Sequence, residues 1–231
     1  MQLDDLRQAV WEANMRLAES GLVKLTWGNV SGISRTDGVF LIKPSGVPYS
    51  TLRPEHLVAI DLDGKRVAGT LNPSSDTPTH LELYKAFPSI GGIAHTHSVC
   101  ATAFAQAGRA IPCLGTTHAD HFAGPVPVAR ALTPAEIEAG YERHTGTVII
   151  ERFKDLEPLE MPAVLAEHHA PFTWGRDAHA AVENSIALET VAEMALKTVA
   201  LAPDKGAIPE HIRLKHYTRK HGANATYGQR G

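Results

Sequence analysis

Apolar positions along the first segment recur at helical spacing. Leu6, Ala9, Val10, Ala13 and Leu17 fall on one face of residues 4–20, which predicts an amphipathic helix rather than a signal peptide. The pattern then shortens to strands. Asn29–Arg35 and Val39–Lys43 flank Thr36-Asp37-Gly38, a predicted hairpin, and Val58–Leu62 and Lys65–Ala68 flank Asp63-Gly64, which predicts a second hairpin with a type I′ turn. Asp76-Thr77-Pro78-Thr79 opens a helix running to Phe87, with Asp76 or Thr77 as its cap. Ile90–His97 reads as a buried strand and Ser98–Ala107 as a small apolar helix.

The second half is read the same way. Val126–Ala129 predicts a strand, and Thr133-Pro134-Ala135-Glu136 carries the spacing of a capping box. Residues 148–152 are β-branched but few, and fit strand or helix. Ala163–His169 predicts a strand. Asp177 caps a long helix to about Leu201, with Val182, Ile186, Val191, Ala195 and Val199 at core spacing. Pro209–His221 predicts a final helix, followed by a tail over Ala223–Gly231. Front-loaded hairpins with interspersed helices imply one α/β domain over residues 1–231, with a mixed, largely antiparallel sheet.

Composition narrows the function classes. Twenty-two Lys and Arg against 25 Asp and Glu give −3, so no electrostatic case exists for nucleic acid; the stretch 211–221 is a local basic exception that reads as a solvated helix face. No apolar run approaches the length of a membrane span. Cys100 and Cys113 form neither a zinc pattern nor a disulfide framework, which suits reduced thiols in a cytoplasmic protein. Histidine is the unusual component: thirteen, against fourteen Phe, Trp and Tyr together.

His95-Thr96-His97 is the sharpest local feature. On a strand, residues i and i+2 share a face, so two imidazoles can converge on one divalent ion; a hydrogen-bonded pair at a strand end is the plainer alternative. A metal site needs a third ligand, and Asp76, His80, His168 and His169 all qualify. Adjacent strand residues face opposite sides, so at most one of the last two joins the pair. Thr116-Thr117-His118-Ala119-Asp120-His121 is a polar turn in which Asp120 has the chemistry of a general acid or base. Three further segments resemble anion cradles: 26–31, 43–46 and 72–76. Glycine lets backbone N–H groups approach a ligand, and Ser, Asn and Lys add donors. Each alone is a turn; only convergence makes a phosphate site.

Taken in order, LTWGNVS (25–31), IKPSGVPYS (42–50), PSSDTPTH (73–80), FPSIGGIAHTHS (87–98), GTTHADHF (115–122), APFTWG (170–175) and KHYTRKHGANATYGQ (215–229) resemble the L-ribulose-5-phosphate 4-epimerase family of the class II sugar-phosphate aldolase superfamily. The resemblance runs from the first helix to the last few residues. It implies a three-layer α/β/α domain with a central, mostly antiparallel sheet, and a cyclic homotetramer with active sites between subunits. It further implies His95, His97 and His169 as metal histidines with Asp76 as the carboxylate at the ion. Gly28, Asn29, Lys43, Ser45, Gly46, Ser74 and Ser75 match substrate and phosphate positions. Asp120 and Tyr227 match an acid/base pair, with Tyr227 from the adjacent chain. His216 and Arg219 match tail residues, within about 209–231, that reach the neighbouring site.

The implied reaction interconverts L-ribulose 5-phosphate and D-xylulose 5-phosphate by cleaving and re-forming the C3–C4 bond. One divalent ion per subunit, Zn²⁺ first, with Mn²⁺ or Co²⁺ also accepted by such donors, would stabilise the enediolate. Inversion needs proton handling on both faces of C4, so the site would have to bring the titration of an aspartate and a tyrosine closer together. Two alternatives remain. One is a true aldolase of the superfamily, against which Asp76, Asp120 and the tail speak. The other is a non-catalytic protein on the same fold, resembling the adducin head, against which the retained metal candidates speak.

Overall fold

The computed structural model of the protein describes residues 3–222 and 225. Helix α1 (Leu3–Glu19) buries Leu6, Val10, Ala13 and Leu17, as its spacing predicts. Two antiparallel pairs follow. β1 (Asn29–Ser34) joins β2 (Val39–Ile42) with Ser34 opposite Val39, and β3 (Val58–Asp61) joins β4 (Arg66–Ala68). The second turn is not type I′. Gly64 alone of its residues has a left-handed φ, +82°, and Asp61 N–H donates to the Lys65 carbonyl at 2.9 Å around a three-residue loop.

α2 (Thr77–Ala86), β5 (Gly92–His95), α3 (Val99–Gln106), the single turn α4 (Thr116–Ala119) and β6 (Val128–Ala129) come next. α5 (Pro134–Arg152) absorbs the ambiguous residues 148–152 into helix. Its Thr133–Glu136 capping box is formed, and a break at Gly140 (φ 137°) interrupts it. β7 (Ala163–Ala166), β8 (Pro171–Gly175), α6 (Ala178–Leu201) and α7 (Glu210–His221) complete the chain. Asp177 caps α6 by accepting from Ala180 N–H, as predicted.

The eight strands form one sheet in the order β4-β3-β2-β1-β5-β8-β7-β6, antiparallel throughout except for the parallel pair β6–β7. Alternation along β2 shows why two layers cover it. Phe40 and Ile42 enter the larger core with Leu83, Tyr84 and Val148 from α2 and α5. Leu41 enters the smaller core with Leu6, Val10, Ala178 and Val182 from α1 and α6. The first turn of α6 lies against the sheet at Gly92, where a Cβ would come within 2.4 Å of the Asp177 carbonyl and Ala178 nitrogen. Among the described residues no helix is long and apolar enough to cross a membrane.

Three differences from the sequence reading bear on the site. β5 ends at His95, so His97 lies two residues beyond it. β7 ends at Ala166, and residues 167–169 form a turn in which His168 takes φ 61°. β8 carries no strand expectation because it opens on Pro171. That proline begins the strand; residues 171–173 pair with β7 and residues 172–175 with β5.

Candidate active site

The site is built where β1 begins and β5 ends. Register sets Asn29 opposite His95, and His95 opposite Phe172 of β8. The Phe172 ring stacks on the His95 imidazole at 4.2 Å. His95 Nδ1 lies 3.0 Å from the Pro171 carbonyl, an acceptor only, so Nδ1 donates and Nε2 keeps its lone pair toward the cavity. His97 Nε2 stands 3.1 Å from His95 Nε2. The chain turning after β5, rather than a shared strand face, brings the two together. The left-handed turn at His168 carries His169 to the same point, with its ring 4.8 Å from His95 and 5.1 Å from His97. His168 is exposed and points elsewhere, so the structure selects His169 of the adjacent pair.

The donor set fits a divalent cation. One ligand atom from each of His95, His97 and His169 lies within 4.8 Å of the others. His169 Nδ1 is buried with no hydrogen-bond partner among the described residues, an orphan lone pair or proton that a buried group rarely tolerates. Burial, reinforced by the neighbouring His95, pushes His169 down to about 3, and burial also lowers His97. Neutral imidazole is the ligating form.

Asp76 does not cap α2 with its side chain. It sits at the cap position with helical φ and ψ, and its carboxylate turns away to accept from Asn29 Nδ2 at 2.7 Å, with Oδ2 3.9 Å from His95 Nε2. Burial works to raise its pKa, but His95, His80 and the Asn29 amide outweigh this and hold it below the usual carboxylate range. His80, one turn along α2 and fully buried, packs beneath through Nδ1 to Ser31 Oγ at 2.7 Å. That hydroxyl also meets Tyr84 Oη at 2.7 Å. Burial lowers His80 to about 3.

The three glycine-containing turns converge. Ser45 N–H donates to the Asn72 carbonyl at 2.9 Å and Ser74 N–H to the Lys43 carbonyl at 3.0 Å, which ties 43–46 to 72–76. Tyr49 Oη donates to the Gly28 carbonyl at 3.0 Å, which ties in 26–31. Gly28 is required: φ is +77° and a Cβ would meet the His95 carbonyl at 2.8 Å. Together with the histidines these turns enclose one cavity of about 460 Å³. Gly28, Asn29, Lys43, Ser45, Gly46, Ser74, Ser75, Asp76, His95, His97 and His169 all line it. Lys43 is 1% exposed, its ammonium 4.8 Å from the Tyr49 ring centroid and donating to the Pro44 carbonyl. Burial lowers it to about 8, and no described carboxylate lies within ion-pair distance. A buried cation without a counter-ion favours an anion in the cavity.

Asp120, His216 and Arg219 come together elsewhere, and none lines the cavity. Asp120 closes α4. Arg219 Nε and Nη2 donate to its Oδ1 and Oδ2 at 2.9 and 2.6 Å, and His216 Nδ1 lies 3.1 Å from Oδ1. Burial would raise the carboxyl, but these partners hold it lowered. This is opposite to the upward shift the sequence reading asked of an acid/base aspartate. Tyr227 lies outside the described residues. Residues not anticipated as part of the site include Trp27, whose ring stands 6.2 Å from His97, and Tyr141, 5.9 Å from His169. The break at Gly140 immediately precedes Tyr141, and no pattern in the sequence announces it.

Residues 8–196 match the family described as Class II Aldolase and Adducin N-terminal domain. The chain is 51% identical over 228 residues to the L-ribulose-5-phosphate 4-epimerase UlaF of Salmonella paratyphi A, covering 99% of this chain and all of that protein; the Salmonella typhi protein of the same name matches equally. An L-fuculose 1-phosphate aldolase structure superposes with a TM-score of 0.77 at 23% identity, covering 95% of this chain and 97% of the other. The Thermus thermophilus L-fuculose-1-phosphate aldolase gives 0.69 at 24%, covering 89% and 100%. At these identities the two structures share the fold.

Proposed function

The chain belongs to the class II aldolase and adducin N-terminal domain family, and from that premise we propose that it is a metal-dependent L-ribulose-5-phosphate 4-epimerase. One observation carries the reading: a three-histidine, one-aspartate cluster and a wall of anion-binding turns line the same cavity. A pentulose phosphate is an anion whose reacting ketone and hydroxyl groups lie several bonds from the phosphate. It needs both walls at once.

In this reading His95, His97 and His169 hold the ion with Asp76 beside it, Zn²⁺ foremost and Mn²⁺ or Co²⁺ as alternatives. The bound ion supplies Lewis-acid stabilisation of the charge that develops on the three-carbon fragment when C3–C4 breaks. Gly28, Asn29, Lys43, Ser45, Gly46, Ser74 and Ser75 hold the phosphate while glycolaldehyde phosphate turns over to present its other face. Binding energy remote from the reacting carbon keeps that fragment in place. Asp120 removes or returns the C4 hydroxyl proton on one face and Tyr227 on the other.

The assembly is a homotetramer in which Asp120, Tyr227, His216 and Arg219 of one subunit complete a neighbour's cavity. Its support is that Asp120, His216 and Arg219 lie outside the cavity of their own chain. The free thiols of Cys100 and Cys113 support a cytoplasmic setting.

The test is a coupled assay for D-xylulose 5-phosphate from L-ribulose 5-phosphate, before and after chelation and again after Zn²⁺ is restored. Product that disappears on chelation and returns with metal is expected. Accumulation of free glycolaldehyde phosphate or dihydroxyacetone phosphate as the main product would point to an aldolase instead. No product under any condition would overturn the substrate.

A further inference from the structure

α7 buries none of its residues, yet three of its side chains close on a single aspartate. Arg219 reaches Asp120 with a two-pronged fork, His216 Nδ1 adds a third contact, and His221 Nε2 lies 2.9 Å from the Asp120 carbonyl oxygen. The Asp120 side chain is only 13% exposed. The helix is itself pinned to the domain by polar contacts near this point. Arg213 donates to the Ala123 carbonyl, and just before the helix Ile208 N–H donates to the Cys113 carbonyl at 3.0 Å. So α7 is docked by its grip on the segment around Asp120 rather than by a hydrophobic seam.

The fork divides the two carboxylate oxygens unequally. Oδ1 accepts from both Arg219 Nε and His216, whereas Oδ2 accepts from Arg219 Nη2. A carboxylate oxygen has two lone pairs. Among the described residues Oδ1 is therefore filled and Oδ2 has one position left. We infer that Arg219 is a positioning residue: it holds Asp120 as a carboxylate in one orientation and leaves Oδ2 as the atom that exchanges the proton of the substrate's C4 hydroxyl. This rests on the epimerase reading and assigns Arg219 to the base rather than to direct contact with substrate. In the step, the C4 O–H bond breaks as an Oδ2–H bond forms, its electron pair becomes the aldehyde C4=O bond, and the pair of the broken C3–C4 bond moves into C2–C3 as the C2 carbonyl pair moves onto its oxygen.

Planar, bidentate pairing is a property of guanidinium that an ammonium does not reproduce. The charged and titratable groups facing Asp120 are Arg219, His216, Lys220 and His221 of α7 and the adjacent His121. Glu183 of α6 acts on His121.

The experiment compares wild type, Arg219→Gln and Arg219→Lys in the full-length, metal-loaded enzyme. Steady-state kinetics are followed across pH. Alongside, the Asp120 carboxyl carbon is titrated by NMR and identified by its loss in Asp120→Asn. Arg219→Gln is expected to move the acid limb of kcat, and the Asp120 titration with it, upward by about one pH unit. It should lower kcat about tenfold while KM stays within twofold. Arg219→Lys should restore the limb only in part, because charge returns without the fork.

A raised KM with an unmoved limb would make Arg219 a substrate contact and overturn the inference. An unmoved Asp120 titration would overturn it too. The titration does not depend on turnover. An inactive wild type with a normal Arg219-dependent titration would therefore count against the epimerase reading and not against the Arg219–Asp120 clamp.

Discussion

The histidine cavity and the α7 cluster hold their chemistry by opposite means. His95, His97 and His169 sit at strand ends and in the turn after β7, among buried neighbours. Burial suppresses charge on His97 and on His169, which is pushed down to about 3. Asp120 lies at the end of a four-residue helix under an exposed one, and its environment enforces charge through Arg219 and His216. Desolvation keeps ligands neutral and ready for a cation, and ion pairing keeps a base ionised. The first device needs a sheet beneath it. The second needs only two short helices.

The comparison breaks most visibly at the histidine cluster. His97→Asn should lose the metal. With it should go several kcal/mol of transition-state stabilisation, about a thousandfold in turnover. Metal content by atomic emission and the coupled assay check both together. A variant that keeps its ion would remove His97 from the site. Asp120→Asn sharpens the contrast from the other side. Turnover should fall roughly 10²-fold, within the usual range for a lost general base, while metal content stays at the wild-type level. Loss of metal in that variant would mean the two regions are one unit.

A third effect concerns stability. His118 is buried, its Nε2 donating to the Gly124 carbonyl at 2.8 Å, and burial lowers it to about 4. The unfolded chain then binds the proton first. The stabilisation is complete above pH 6.5 and is lost as pH falls toward 4, amounting to about 3 kcal/mol over that span. Urea midpoints measured from pH 7.5 to 4 should fall less steeply in His118→Gln. Parallel slopes would show that His118 is not neutral in the folded protein.

Periodicity carried most of the fold. α1, α6, both early hairpins and the α5 capping box follow from local pattern because each is stabilised largely by its own spacing and termini. β8 escaped because its Phe-Thr-Trp alternation is only three residues long and is bracketed by Pro171 and Gly175, and pairing on both sides outweighs that. The candidate site divides similarly. The histidine pair and the three glycine-containing turns were visible as residue types at short spacing. The choice of His169 over His168 needed either the family resemblance or the left-handed turn that turns only one of them inward.

What the sequence determined alone is the inventory: a mixed, mostly antiparallel α/β domain, a ligand-grade histidine pair, and three turns able to bind an anion. Tertiary structure decided what those parts do together. It turned Asp76 from a helix cap into a partner of Asn29 and His95, because the approach of β1 to α2 offers its carboxylate a better donor than its own helix does. It joined turns distant in the chain into one cavity through Ser45–Asn72, Ser74–Lys43 and Tyr49–Gly28, contacts about twenty to thirty residues apart. It gathered Asp120 and Arg219, ninety-nine positions apart, into one ion pair. Such contacts have no local signature, since the free energy that selects them comes from burial and pairing across the fold rather than from neighbours in the chain.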